Sequence, residues 1–143
     1  MHDESEQRVV DALVRAAFEV IATVTTVSSA HELSLTQGRV LGILRDRTMR
    51  MADLAAALGL ERSTLSGLVD RAEARGLLQR QRSDADGRSI SLTLTEHGQA
   101  IADRGSAQVR TQLSPLLERL SIEAHEQLAT LLETALSPEP ATA

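Results

Sequence analysis

A chain of 143 residues with 42% apolar and 24% charged residues is typical of one compact domain, or of a small domain with a helical extension, and excludes wholesale disorder. The absence of cysteine excludes disulfides, thiolate metal sites and thiol-based redox sensing. A net charge of −5 argues at first against a nucleic-acid partner, and Phe18 as the single aromatic residue leaves a core of Leu, Val, Ile and Ala, which suits packed helices.

The chain starts with MHDESEQR, which is acidic and polar, unlike the basic and then apolar start of a signal peptide. The longest apolar run is far shorter than the ~18 residues that a membrane span needs. The sequence therefore predicts a cytoplasmic protein with no membrane partner.

Two helices are predicted in the first third of the chain. From Gln7 to about Ser29, apolar residues recur at helical spacing without Gly or Pro, which predicts a long helix. A second helix begins at residues 35–38 with Thr36 as its N-cap and ends at residues 45–47. Residues 48–50 then form a short connector with room for one bridge of sheet.

A pair of short helices follows. The first runs from Ala52 to Leu58, and Gly59 stops it because glycine enters the left-handed region without a Cβ penalty. After a tight turn, the second opens at Arg62 or Ser63 and ends at Gly76.

Two strands are predicted next, at residues 77–82 and 89–94, on either side of the polar loop 83–88. Helix, tight turn, helix and hairpin is the order of elements in a winged helix-turn-helix. The fold class predicted is therefore mainly α, with a small β-hairpin wing and a helical dimerisation region.

Further helices are predicted at the C-terminal end. Thr95 is the candidate N-cap of a helix that reaches Leu113, and Pro115 suits the first turn of a further helical piece. Ser121 caps the last helix, which ends at residue 137.

The terminal helices are rich in apolar residues, yet a single helix cannot bury its own apolar side. We expect them to pack against the same helices of a second subunit in a two-fold homodimer. The predicted domains are a dimerisation helix at 1–34, a DNA-binding domain at 35–95, dimerisation helices at 96–137 and a disordered tail at 138–143.

The distribution of charge reverses the impression given by the net charge. All basic residues are Arg, and the span 39–88 holds ten of them with seven acidic residues, a local net charge of +3. The rest of the chain has a net charge of −8. A basic middle between acidic ends favours phosphate binding.

The helix that opens near Arg62 is the candidate recognition helix, because side chains at the N-terminal end of such a helix reach base edges in the major groove. Arg pairs with guanine, while Ser and Thr bind base edges or phosphates. Ser63 fits equally a simple helix cap. The candidate residues are Arg62, Ser63, Thr64, Ser66 and Arg71.

Three further Arg residues, Arg75, Arg80 and Arg82, are candidate phosphate contacts. Arg75 fits equally a role at the negative C-terminal end of its helix. In the loop, Arg88 can enter a minor groove, and Asp86 can hold its guanidinium by a bidentate pair. Spacing alone fits equally an ordinary turn with a solvated Arg and Asp.

A series of short motifs runs through residues 35–98. They are Leu35-Thr36, Val40-Leu41-Gly42-Ile43-Leu44, Leu54-Ala55, Leu58-Gly59-Leu60, Ser63-Thr64-Leu65-Ser66, Leu68-Val69-Asp70-Arg71, Arg75-Gly76-Leu77-Leu78, Asp86-Gly87-Arg88, Leu94-Thr95 and Gly98. Together these motifs resemble the MarR family of bacterial transcriptional regulators. The resemblance implies a homodimer with terminal helices at its interface, a palindromic operator, repression, and often release by a small ligand. It also implies that Arg88 is the minor-groove residue and Asp86 its partner.

The chain departs from the family in having almost no aromatic residues for a ligand pocket. Phe18 and His31 are the ring side chains expected near the junction of the two regions, although Phe18 fits a core residue better. The sequence has no spacing typical of a metal site and no catalytic motif, so we expect no metal, no cofactor and no enzymatic activity.

Two hypotheses follow. The first is a dimeric DNA-binding regulator with a possible small-molecule effector. The second, suggested by the acidic composition, is a winged helix that binds other proteins and not DNA. Titration with DNA at low salt separates them, because phosphate contacts are strongest there.

Overall fold

Helices make up most of the chain. The computed structural model describes residues 2–82 and 89–138, and this part contains six helices and three strands. The predicted fold class, mainly α with a small β-hairpin, is confirmed. In chain order the elements are α1 (His2–Ala30), α2 (Leu35–Leu44), β1 (Met49–Arg50), α3 (Met51–Leu58), α4 (Arg62–Ala74), β2 (Leu78–Arg82), β3 (Ile90–Leu94), α5 (Glu96–Leu117) and α6 (Ile122–Leu136).

The start of α2 differs from the prediction, because Ser34 is its N-cap and Thr36 is not. The Ser34 hydroxyl accepts a hydrogen bond from the Gln37 amide at 3.1 Å, and the Gln37 side chain accepts one from the Ser34 amide at 2.9 Å. This reciprocal capping box satisfies two amides at once, which a cap at Thr36 would not do. The predicted caps Thr95 and Ser121 are confirmed, since each hydroxyl accepts a bond from the amide three residues later.

Three residues connect α3 to α4, and the first of them sets the turn. Gly59 has a φ of 65°, and its amide donates to the carbonyls of Ala55 and Ala56. A side chain at this φ would be strained, so glycine ends α3 as predicted. The short turn holds α4 close to α3 over a shared core.

The strands form one antiparallel sheet in the order β1–β3–β2. The predicted hairpin of β2 and β3 places Leu78 opposite Leu94 and Arg82 opposite Ile90. Strand β1 adds a two-residue edge on the other side of β3. Leu92 in the central strand is fully buried, so one face of the sheet packs on the helices.

The core lies between α2, α3, α4 and the hairpin, and it is aliphatic as the composition predicts. Ile101 and Ala102 of α5 close it on one side. Burial of each large aliphatic side chain stabilises the fold by about 1.5–3 kcal/mol. The largest fully buried side chains are Leu41, Leu44, Leu54, Leu65, Leu77, Leu78, Leu92, Val40 and Val69.

Much of the terminal helices stays uncovered, and α6 has no buried residue. Phe18 is 70% exposed, so its placement in the core is wrong for the single chain, since it lies on an outward side of α1. We call the exposed apolar residues of these helices the terminal apolar surface. It consists of Val9, Val10, Leu13, Val14, Phe18, Val20, Ile21, Leu116, Leu117, Leu120, Ile122, Leu128, Leu131, Leu132 and Leu136.

The longest helices are α1 with 29 residues and α5 with 22. The prediction of a new helical piece at Pro115 is wrong, because α5 continues through it to Leu117. Proline removes one amide from the helix, and near an exposed helix end the carbonyl that loses its partner can bond to water. Within residues 2–82 and 89–138, no helix is both long and apolar enough to cross a membrane.

Candidate nucleic-acid interface

Helix α4 turns one side to the core and leaves the candidate DNA-binding residues outside it. Leu65, Val69 and Ala72 are buried at i, i+4 and i+7. The residues that we call the recognition surface are exposed, except for a half-buried Ser66; they are Arg62, Ser63, Thr64, Ser66 and Arg71.

The N-terminal end of α4 has amides that its cap residue does not satisfy. Glu61 is the N-cap, and its side chain makes no capping hydrogen bond. Ser63 lies inside the first turn and is therefore not the cap. The first amides of a helix carry the positive end of its dipole, so this end can bind an anion.

The Arg71 side chain on the recognition surface lies beside Gly67. A Cβ atom placed on Gly67 would lie 3.7 Å from Nη1 of Arg71. The guanidinium thus extends back along α4, one turn toward its N-terminus.

Arg80 on β2 is engaged by two acidic side chains of α4. Its Nη2 atom lies 2.6 Å from Oδ1 of Asp70, and its Nη1 atom lies 2.9 Å from Oε1 of Glu73. The Arg80 amide also donates to Oε2 of Glu73 at 3.2 Å. The hydrogen bond to Asp70 raises the pKa of Arg80, because it favours the charged guanidinium.

Arg75, at the C-terminal end of α4, is also engaged within the chain. It donates to the backbone carbonyls of Glu32 and His31, in the turn between α1 and α2. Two of the three candidate phosphate contacts, Arg75 and Arg80, therefore have strong internal partners. Arg82 at the end of β2 is exposed.

The candidate wing residues Asp86 and Arg88 lie outside the described residues. The hairpin that carries them is paired up to Arg82 and Ile90.

The C-terminal end of α4 meets the start of α5 in a close junction. The Thr95 hydroxyl donates to the Gly76 carbonyl at 2.5 Å, and the Thr95 amide donates to the Leu77 carbonyl at 3.1 Å. A Cβ atom on Gly98 would collide with the Leu77 carbonyl. The Leu94-Thr95 and Gly98 motifs therefore join the C-terminal end of α4 and the hairpin to the terminal helix α5.

A cavity of about 570 Å³ lies between the terminal helices and the core. Its walls include Val24, Leu41 and Ile101, and among the described residues that line it there is no Phe, Tyr or Trp. His31 borders it, and its Nε2 atom lies 2.8 Å from Oε1 of Gln108. Phe18 is not among its lining residues, so a ligand contact at Phe18 stays a prediction.

Three cationic side chains line the cavity that the sequence did not predict there: Arg39, Arg45 and Arg47. Their signal is a run of basic residues along α2 and the turn after it. Arg45 lies 3.6 Å from Asp46 through its Nε atom. An apolar cavity bordered by guanidinium groups can hold an organic anion.

Comparison with known proteins identifies relatives of the whole arrangement. The family model described as MarR family matches residues 31–89, which run from the turn after α1 to the residue before β3. A homoprotocatechuate degradative operon repressor of Escherichia coli is 29% identical over 123 residues, which is 85% of this chain and 83% of the relative.

Solved structures share the fold. NadR in complex with 4-hydroxyphenylacetate has a TM-score of 0.80 at 23% identity, and covers 92% of this chain and 94% of its own. CouR from Rhodococcus jostii RHA1 bound to p-coumaroyl-CoA has a TM-score of 0.77 at 24% identity, and covers 93% of this chain and 94% of its own.

Proposed function

Because the chain belongs to the MarR family of transcriptional regulators, we propose that it binds double-stranded DNA as a homodimer. The observation that carries the proposal is the recognition surface, which stands outside the core at the N-terminal end of α4. A helix of this kind fits the major groove, and its first turns reach base edges. Arg62 would read guanine, and the other residues of the surface would bind base edges or phosphates.

The terminal apolar surface supports the homodimer. Its 15 large side chains would be too costly to leave in water, and a second copy related by a two-fold axis is the simplest cover. Two α4 helices would then enter successive major grooves about 34 Å apart on a palindromic operator.

The wing completes the proposed DNA contact. Arg88 enters the minor groove beside each recognition helix, and Asp86 holds its guanidinium. Arg82 binds a phosphate near the base of the hairpin. Arg75 and Arg80 are left out of the interface, since their internal partners compete with phosphate.

The cavity is the proposed site of a small-molecule effector. Arg39, Arg47 and His31 border an apolar space, which favours an organic anion with an apolar body. The named role of the Escherichia coli relative as an operon repressor supports repression as the output. An effector that bound only the DNA-free conformation would relieve it.

The proposed division of the chain follows these roles. Residues 35–95 bind DNA, residues 1–34 and 96–137 form the dimer, and residues 138–143 are a tail. Action on DNA places the protein in the cytoplasm.

The test has two stages. First, the protein is titrated into a fluorescent random duplex at ~50 mM salt, where phosphate contacts are strongest. We expect binding that weakens steeply as salt rises; no binding at this salt would favour a module that binds proteins instead. Selection of bound genomic fragments then gives the operator, which should contain an inverted repeat.

A further inference from the structure

We propose that Arg75 is a positioning residue: it fixes the angle between α4 and the terminal helices, and thereby the spacing of half-sites that the dimer accepts. This rests on the proposed function, because spacing has a meaning only for a dimer that reads two half-sites. The starting observation is a pair of hydrogen bonds. Nη1 of Arg75 donates to the Glu32 carbonyl at 2.8 Å, and Nη2 donates to the His31 carbonyl at 3.2 Å.

These bonds neutralise the end of a helix that has no cation of its own. Helix α1 is 29 residues long and has no basic residue in its last turn. The last carbonyls of a helix lack internal partners and carry the negative end of its dipole. Arg75 supplies the missing cation from 44 residues further along the chain. The C-terminal ends of α1 and α4 are thus joined by one side chain.

The turn after α1, to which Arg75 donates its two hydrogen bonds, has a defined backbone conformation. Glu32 has a φ of 58°, which is unusual for a residue other than glycine. The Leu33 amide bonds to the Ser28 carbonyl at 2.9 Å and the Glu32 amide to the Ser29 carbonyl at 3.0 Å, the pattern of a Schellman cap. Such a conformation persists only where its surroundings hold it. Arg75 binds the carbonyl of the same left-handed residue, so it is part of those surroundings.

The same turn is tied to α5. The His31 ring bonds to Gln108 at 2.8 Å, while the His31 carbonyl accepts from Arg75. A continuous path therefore runs from α5 through the turn to the end of α4. In the proposed dimer, α1 and α5 belong to the interface, so this path sets where each recognition helix points.

A phosphate contact at Arg75 is the competing explanation, and the two differ in what they change. Loss of a phosphate contact weakens binding at every spacing alike and lowers the salt slope by about one. Loss of the positioning bonds leaves the recognition surface intact and loosens only the geometry between the two halves. Spacing preference therefore separates them.

The experiment uses the full chain and the operator selected from genomic DNA. Duplexes are made in which the two half-sites are moved closer by one base pair, left unchanged, or moved apart by one or two. Their dissociation constants are measured for wild type, Arg75→Met and the control Arg71→Met. Methionine keeps the length of the side chain without its donors, and Arg71 lies one turn earlier on the same helix.

We expect wild type to prefer one spacing, and Arg75→Met to reduce that preference about fivefold or more, the lower end of usual coupling between sites. Its salt slope should equal that of wild type. Arg71→Met should weaken binding at all spacings and keep the preference. If Arg75→Met lacks the far-UV circular dichroism of wild type, Arg75→Gln takes its place in the same measurement.

Two results would overturn the inference alone: a wild-type spacing preference in the Arg75 variant, or a uniform loss of affinity with a salt slope lower by about one. Wild type that binds no duplex at ~50 mM salt would overturn the proposed function, and this inference with it.

Discussion

Arg80 of β2 and Asp70 of α4 join the hairpin to that helix through a contact of 2.6 Å, and Glu73 adds a second carboxylate to the same guanidinium. The Arg80 side chain is only 25% exposed, whereas that of Asp70 is 64% exposed. Solvent therefore screens part of the attraction, and the pair alone is worth well below a buried ion pair. Two acceptors on one Arg form a small network, which contributes more than an isolated pair.

Arg80→Ala should lower the free energy of unfolding by about 1 kcal/mol, the upper end for exposed ion pairs. Urea unfolding followed by circular dichroism measures it. Arg82→Ala, two residues later on the same strand, is the control and should change stability by less than about 0.5 kcal/mol. Equal effects of the two variants would contradict a stabilising role for the network.

Gly98→Ala should be more damaging than its size suggests. The added Cβ would collide with the Leu77 carbonyl, which is part of the junction between the hairpin and α5. Overpacking of this kind costs about 1–3 kcal/mol. Gly42→Ala is the matched control: a Cβ there meets nothing within 4 Å, so the variant should gain up to about 1 kcal/mol from helix propensity. The thermal unfolding of both variants measures these changes. A Gly98→Ala variant as stable as wild type would contradict the prediction.

The terminal apolar surface predicts that one charge can separate the subunits. Leu13→Glu places a carboxylate on the exposed apolar side of α1 and should shift the protein from dimer to monomer in sedimentation experiments. Gln79→Glu, an equal charge change at an exposed polar position of β2 outside the terminal helices, is the control and should remain dimeric. A dimeric Leu13→Glu would place the interface elsewhere.

Arg62→Ala should relax the base preference of the protein. A bidentate pair with guanine is worth about 1–3 kcal/mol of discrimination, so one position of each half-site should become less selective. Repeating the selection of bound fragments with the variant measures this. A sequence logo identical to that of wild type would remove Arg62 from base reading.

Arg88→Ala should weaken operator binding and keep the dimer. A minor-groove Arg is attracted by the negative potential of narrow A·T-rich sequence, so the loss should be greatest for operators with such flanks. Band shifts on A·T-rich and G·C-rich flanks, together with a sizing column, test the assignment. Equal affinity of variant and wild type on both flanks would refute it.

The sequence predicts the order of helices and strands well, since periodicity, caps and glycines are local signals. Thr95 and Ser121 are found as caps for this reason, and Gly59 as a helix stop. The error at Thr36 has a local cause too, because Ser34 forms a capping box with Gln37 that the apolar pattern does not reveal.

The sequence does not predict the contacts between distant parts of the chain. Arg75, Arg80 and Arg82 carry the same charge and lie in the same basic span. Their spacing does not indicate that Arg75 and Arg80 bond within the chain while Arg82 is exposed. Their partners lie on other elements, in the turn after α1 and on α4. The cavity, which Arg39 and Arg47 border, is equally hidden from the sequence, because it is formed where α2 and α5 meet.

The pairing of the hairpin has a practical consequence for engineering. The last pair of its register is Arg82 with Ile90, whereas the buried Leu92 lies at the middle of β3 and the junction at Thr95 lies at the other end. Loops of other lengths could therefore be grafted between residues 82 and 89 without shifting the strands. Under the proposed function, chimeras built at these two positions would test whether the loop sets the minor-groove preference while α4 and its scaffold stay unchanged.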